Sequence, residues 1–150
     1  MKDYVIDANI IFSSLLSGKG IYRKFFENYV LYTPDFALNE LQLYQNEILT
    51  KTKLSKEQLQ EFTLFVFSKL IVVPELYITK QSRIKAYDLC KDIDIKDTIY
   101  VALTIEFNNI LITRDKPLHD GLISKGFENV LMFNILIDQI DKDSSLFQLE

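Results

Sequence analysis

Five short apolar runs punctuate the chain at wide intervals: YVI at 4–6, VLYT at 30–33, LIVV at 70–73, ILIT at 110–113 and VLMF at 130–133. They are rich in Val, Ile and aromatic residues. Most lack the in–out alternation of a half-exposed strand, which suits strands covered on both faces. Between them, apolar residues recur at helical spacing. Residues 9–29 carry Ile10, Ile11, Leu15, Leu16, Ile21, Phe25 and Phe26; residues 35–50 carry Phe36, Leu38, Leu41, Leu43, Tyr44 and Ile48. Ser55, with Gln58 three residues on, reads as a capping box. The helix it opens carries Phe62, Leu64, Phe65, Val66 and Phe67 and ends near Leu70. Residues 81–90 and 97–108 have helical spacing too. Strands alternating with helices predict an α/β fold, a three-layer α/β/α sandwich around a central, mainly parallel sheet of about five strands. No internal repeat, low-complexity tract or linker interrupts the pattern. The expectation is one domain over 1–150, with a helical insert near 54–70.

In a parallel sheet of this kind, chemistry gathers outside the carboxyl ends of the strands. The first strand runs into Asp7, with Asn9 just beyond. The second runs into Thr33, Pro34 and Asp35, and Glu40 follows inside the next helix. The densest signal is DIDIKDTIYVALT, where Asp94 and Asp97 precede a nearly all-apolar helix. The fourth strand ends ILITRD, placing Thr113 and Asp115 at its edge. Each acid has a plain structural reading. Asp7 is a helix N-cap, and Glu40 belongs to a solvated face. Asp94 with Asp97 approximates a capping box, and Asp115 makes an Asx-type turn. Asp92, nearby, reads as exposed.

Taken together, Asp7, Glu40, Asp97 and Asp115 would share one rim. Two carboxylates ~5 Å apart repel by roughly 3 kcal/mol at an effective dielectric of ~20. Several such pairs would rival a domain's whole stability of ~5–15 kcal/mol. Protons or a cation must relieve such a cluster. Oxygen-only ligands favour Mg²⁺ or Mn²⁺ over zinc. Carboxylate-held metals are the apparatus of phosphodiester hydrolysis.

Charge sharpens this reading. The 150 residues carry a net charge of −4, whereas a passive nucleic-acid binder is usually basic. A polyanion would need a local basic patch or a bound cation. Lys51, Lys53 and Lys56 form one cluster, Lys80, Arg83 and Lys85 another, and Lys96, Arg114 and Lys116 lie beside the acids. Most surface lysines are simply solvated. Arg114 and Lys116 are the better candidates for phosphate contact because they flank Asp115. His119, the only histidine, is assigned no role. Hydrophobic residues make up 48% of the chain, enough for a substantial core, yet no run reaches the ~18–20 apolar residues of a membrane span. The start of the chain lacks a secretory pattern. The one cysteine, Cys90, has no internal disulfide partner and reads as a buried thiol, so a cytoplasmic location is expected.

VIDANI, FALNEL, DIDIKDTIYVALT and LITRD, in that order and spacing, resemble a PIN-domain nuclease of the VapC-like toxin group of type II toxin–antitoxin systems. The likeness covers roughly residues 3–135. It implies a PIN-like fold and a metal-dependent endoribonuclease acting on RNA. It also implies Mg²⁺ or Mn²⁺ as cofactor, an antitoxin partner and a homodimer. Asp7, Glu40, Asp97 and Asp115 match the family's catalytic and metal-holding acids. Asn9, Asp94 and Thr113 match supporting polar positions. The Phe62–Phe67 stretch is either deeply buried or an interface for a second subunit or an antitoxin helix. The rival expectation from another class is a non-catalytic RNA-binding or scaffolding domain that keeps the fold.

Overall fold

The computed structural model describes residues 2–148. Each apolar run forms a strand within one residue of its expected bounds: β1 (Asp3–Ile6), β2 (Val30–Pro34), β3 (Leu70–Val73), β4 (Leu111–Thr113) and β5 (Val130–Met132). They build one sheet in the order β3-β2-β1-β4-β5, parallel at every pairing. Strand β1 lies at the centre, with Val5 opposite Tyr32 on one side and Leu111 on the other. That position explains why Tyr4, Val5 and Ile6 are all buried, without alternation.

Nine α-helices among the described residues cover the sheet: α1 (Ala8–Ser17), α2 (Gly20–Asn28), α3 (Phe36–Leu43), α4 (Gln45–Lys51), α5 (Lys56–Lys69), α6 (Lys80–Cys90), α7 (Thr98–Glu106), α8 (Lys116–Ser124) and α9 (Phe133–Gln148). Helices α6, α7 and α8 pack together, and α7 lies on β1, β2 and β4. A second group packs around α1 and α2: α3, α4 and α5 meet α1, while α5 and α9 meet α2. The result is the expected three-layer α/β/α sandwich. Among the described residues no helix is long and apolar enough to cross a membrane.

The structure refines several expectations. The helical pattern over 9–29 is broken at Gly18, which takes the left-handed conformation (φ 63°) and returns its N–H to Ser14 O at 2.9 Å. A Cβ there would also lie 2.3 Å from Leu54 Cδ2. The pattern over 35–50 divides at Tyr44, between α3 and α4, with the Tyr44 ring packed on Phe12. Ser55 and Gln58 form the expected capping box, with both reciprocal bonds present. Helix α5 lies in the β2–β3 crossover and buries Leu59, Phe62 and Val66. Arg23 of α2 lies 4.3 Å over the Phe65 ring and pairs with Glu61 at 2.9 Å. The aromatic stretch is therefore largely internal packing, and Leu64 alone of its large residues points outward, at 68% exposure. Helices α8 and α9 were not foreseen. Helix α8 carries Pro117 in its first turn and Gly121 inside, and apolar positions are sparse. Helix α9 follows β5 directly, so no turn residue announces it.

The chain runs outward from β1 to β2 and β3, then returns to the opposite side of β1 to lay down β4 and β5. The direction of winding thus reverses between β1 and β4. At such a switch point the flanking loops part and leave a crevice beyond the carboxyl ends of the strands. Asp7 and Asp115 follow those two strands.

Candidate active site

Asp7 stands at the junction of β1 and α1 and is only 4% exposed. Its backbone is extended (φ −90°, ψ 172°), and its Oδ1 accepts the Ile10 N–H at 3.2 Å, so it does cap α1. The cap uses one oxygen. The other, Oδ2, accepts from the Thr113 hydroxyl at 3.4 Å, across the switch point. Thr113 Oγ1 in turn accepts the Asp115 N–H at 3.0 Å, and Asp115 Oδ1 caps α8 through Leu118 N–H at 3.1 Å. The turn expected at Asp115 is therefore a helix cap. The cap and rim readings of these two acids hold together, since a carboxylate has lone pairs for both.

Asp94 and Asp97 arrive from the start of α7. Asp94 accepts the Lys96 N–H at 3.0 Å and caps a short 3₁₀ turn, Ile95–Asp97. Asp97 then begins α7 without a side-chain cap bond, so the reciprocal half of the expected capping box is missing. Its Oδ2 is buried and has no hydrogen-bond partner. Glu40 arrives on α3, half-buried, and Oε1 accepts a short hydrogen bond from the Tyr100 hydroxyl on α7. Ala8, the residue after Asp7, lies beside the same hydroxyl. Tyr100 thus sets Glu40 beside the first turn of α1. It escaped notice in the sequence because it sits in an apolar run, where a phenol reads as core.

The electrostatics show that the four acids share one field. Burial pushes the Asp7 carboxyl up to about 7, and the charges of Glu40 and Asp115 push the same way against the hydrogen bonds from Ile10 and Thr113. Burial likewise pushes Asp97 up to about 7, reinforced by Asp7, Asp94, Asp115 and Glu40. Asp7 and Asp97 thus each feel the charges of Glu40 and Asp115, though the four lie on separate segments of the chain.

A cation fits the chemistry of this rim. The donors are all oxygens, and a buried carboxylate oxygen of Asp97 lacks any partner. Among the described residues, no three His, Cys, Asp or Glu side chains already form a group placed to hold an ion. Those two observations pull apart. Asp7, Asp115 and Glu40 each rest on a protein donor, while Asp97 Oδ2 does not. The donor set and the orphaned oxygen decide the fit, because an ion would have to draw the side chains inward.

Residues 5–134 match the PIN domain family. The chain belongs to the PIN-domain family. No curated protein matches it. Solved structures share the fold at low identity. A toxin–antitoxin complex from Klebsiella pneumoniae aligns with TM-score 0.56 and 17% identity, over 85% of this chain and 95% of that one. The protein PAE2754 from Pyrobaculum aerophilum aligns with TM-score 0.61 and 14% identity, over 94% and 96%. VapBC2 from Rickettsia felis, bound to a DNA fragment from its promoter, aligns with TM-score 0.55 and 18% identity, over 87% and 96%.

The remaining expected site residues of this PIN domain separate into two groups. Asn9 and Lys116 are exposed, in the first turns of α1 and α8 beside Asp7 and Asp115. Arg114 is exposed as well but engaged: Nη1 donates to the Tyr22 hydroxyl at 2.6 Å, and the guanidinium lies 5.7 Å over the Phe133 ring. His119 pairs with Asp120 at 2.9 Å, outside the acidic rim. Cys90 is buried, and burial pushes its thiol up to about 12, which makes it inert as a nucleophile.

Proposed function

We propose that this PIN domain is a divalent-metal-dependent endoribonuclease and the toxin of a toxin–antitoxin pair. The observation that carries the reading is the buried, unpartnered Asp97 Oδ2 within a rim of mutually repelling acids at the sheet's switch point. Asp7, Asp97 and Asp115 would hold Mg²⁺ or Mn²⁺, with Glu40 at the edge of the set. When bound, the ion supplies an activated water and positive charge for the phosphate. The protein's own part is positioning. Thr113 orients Asp7 and, through the Asp115 N–H, the turn that presents Asp115. Tyr100 holds Glu40, the base candidate for taking a proton from the attacking water. Asp94 fixes the turn that delivers Asp97. Asn9 and Lys116 line the approach, where Lys116 meets phosphate, and Arg114 steadies that side of the entrance through Tyr22 and Phe133.

The toxin assignment is supported by the fold shared with a Klebsiella toxin–antitoxin complex and with Rickettsia VapBC2. Exposed Leu43, Leu49 and Leu64 on α3, α4 and α5 supply apolar surface for an antitoxin or for the second copy of a homodimer. The deciding experiment incubates mixed RNA and DNA with the protein in Mn²⁺ or in EDTA, beside an Asp97→Asn variant. The reading requires RNA cut internally in Mn²⁺ only, by the wild type only. Cleavage that persists in EDTA or in the variant would remove the rim from the chemistry.

A further inference from the structure

Beyond the acids, the carboxyl end of the sheet carries a second feature. A groove of about 290 Å³ opens past the ends of β2 and β3. Phe36, Ile95, Ile99 and Ala102 form its walls, and Arg83 and Lys96 lie at its edge with Glu75. It borders the acidic rim directly, because Lys96 and Thr98 flank Asp97 in the chain and both line the groove. The Phe36 ring packs against Tyr100, the residue that holds Glu40, with centroids 6.4 Å apart.

The polar groups are fixed in place. Arg83 donates to the backbone carbonyls of Glu75 (2.8 Å) and Ile78 (3.3 Å), which locks the turn after β3. The Glu75 carboxylate stands 3.9 Å from the same guanidinium, so that pair is close to neutral and Lys96 leaves the groove net positive. Ile95, by contrast, is 60% exposed at the mouth. The groove therefore combines flat apolar walls, one aromatic ring, a donor and an acceptor at fixed positions, and a cation beside a site built for phosphate.

We propose that this groove is a nucleobase subsite, which takes the unpaired base next to the scissile phosphate of a single-stranded RNA. The inference rests on the nuclease reading above and deepens it. An apolar wall with a ring face accepts any base by stacking, while Glu75 and Arg83 discriminate among base edges by their acceptor and donor. Lys96 meets the adjoining phosphate. Double-stranded RNA cannot enter, since its bases stay stacked.

The test maps the ends produced when a random-sequence RNA pool is cut in Mn²⁺, and measures kcat and KM on one short oligoribonucleotide. The variants are Ile95→Glu and Lys96→Glu, both at exposed positions, with Phe36→Leu to remove the ring face while keeping an apolar wall. Lys24→Glu, exposed on α2, makes the same charge change away from the groove. The expected result is a base preference at one position beside the cut in the wild type. The groove variants flatten that preference and raise KM about tenfold, in line with the loss of one stacked base, while Lys24→Glu does neither. In parallel, an oligoribonucleotide carrying 2-aminopurine at that position is quenched on binding to Asp97→Asn, and not when Phe36→Leu is added. Unchanged cut positions, KM and quenching in the groove variants would overturn the subsite while leaving the nuclease intact, and would give the groove to a protein side chain. A wild type that cuts neither RNA nor DNA fails earlier, at the nuclease reading itself.

Discussion

Asp97 keeps a buried oxygen without a hydrogen-bond partner, while Asp7, Asp115 and Glu40 each rest on a protein donor. Replacing it with Asn removes a charge from the rim and should lower RNA cleavage at least ~100-fold, beyond what loss of a ligand's supporting group costs. The metal-free protein should melt no lower than wild type at pH 8, because one repulsive partner of Asp7 is gone; circular dichroism melts in EDTA check this. Tyr100→Phe makes a different change. It removes the hydroxyl that donates to Glu40 and keeps the ring beside Phe36. A loss of about tenfold in kcat with KM nearly unchanged is expected if the hydroxyl positions Glu40; equal kcat would show that Glu40 needs no such support. Asp7, Asp97 and Asp115 were legible as candidates because each falls just after a strand or at a helix start, where topology converges, whereas Glu40 lies inside α3. Tyr100 was not, since its role depends on a partner 60 residues away. The partners of Arg114, Tyr22 and Phe133, were hidden for a related reason: they come from α2 and α9.

At the scale of elements, the strands were legible because a central parallel strand must be apolar on both faces. Breaks in the helices were less so. Gly18 ends α1 for two reasons at once, its positive φ and the Leu54 side chain where a Cβ would stand. Gly18→Ala should therefore destabilise by about 1–2 kcal/mol from the backbone alone, and lower the melting temperature by several degrees in a chain of this size. Ser55→Ala takes away one arm of the capping box and should cost about 1 kcal/mol. Neither residue touches the acids, so kcat at 25 °C should hold in both while thermal melts fall. A drop in kcat of either variant would mean that the α1–α5 packing reaches the site. The division at Tyr44 had no signal of this kind. No Gly or Pro stands there, and the turn exists because Tyr44 packs on Phe12, a contact made only once α1 and α3 meet. Helix α9 was hidden for the opposite reason, as strand and helix adjoin with no punctuating residue.

Across the whole molecule, folding and cation binding form one equilibrium on the proposed reading. Asp7 and Asp97 have folded-state pKa values near 7 against an ordinary 3.8, so the folded chain binds protons more tightly than the unfolded chain. Stability then falls wherever the folded state holds protons that the unfolded state has released, which is the window from about pH 4 to about pH 7. Below that window the two groups are neutral in both states and cost nothing; above it the full repulsion and desolvation act on the folded state. Asp92, held low by Lys125, and Glu106, held low by Ser82 and Thr79, work with the opposite sign, but only at more acidic pH, where they begin to protonate. In EDTA, the melting temperature should therefore decline between pH 5 and pH 8. On the proposed reading a divalent ion should reverse the trend, because it would bind the charged carboxylates and so stabilise the folded state most where protons have left. With millimolar Mn²⁺ the gain in melting temperature should be small at pH 5 and largest at pH 8. Asp97→Asn should flatten both dependences. A metal-free protein that grows more stable from pH 5 to pH 8, or an ion effect independent of pH, would mean that the four acids do not share one field.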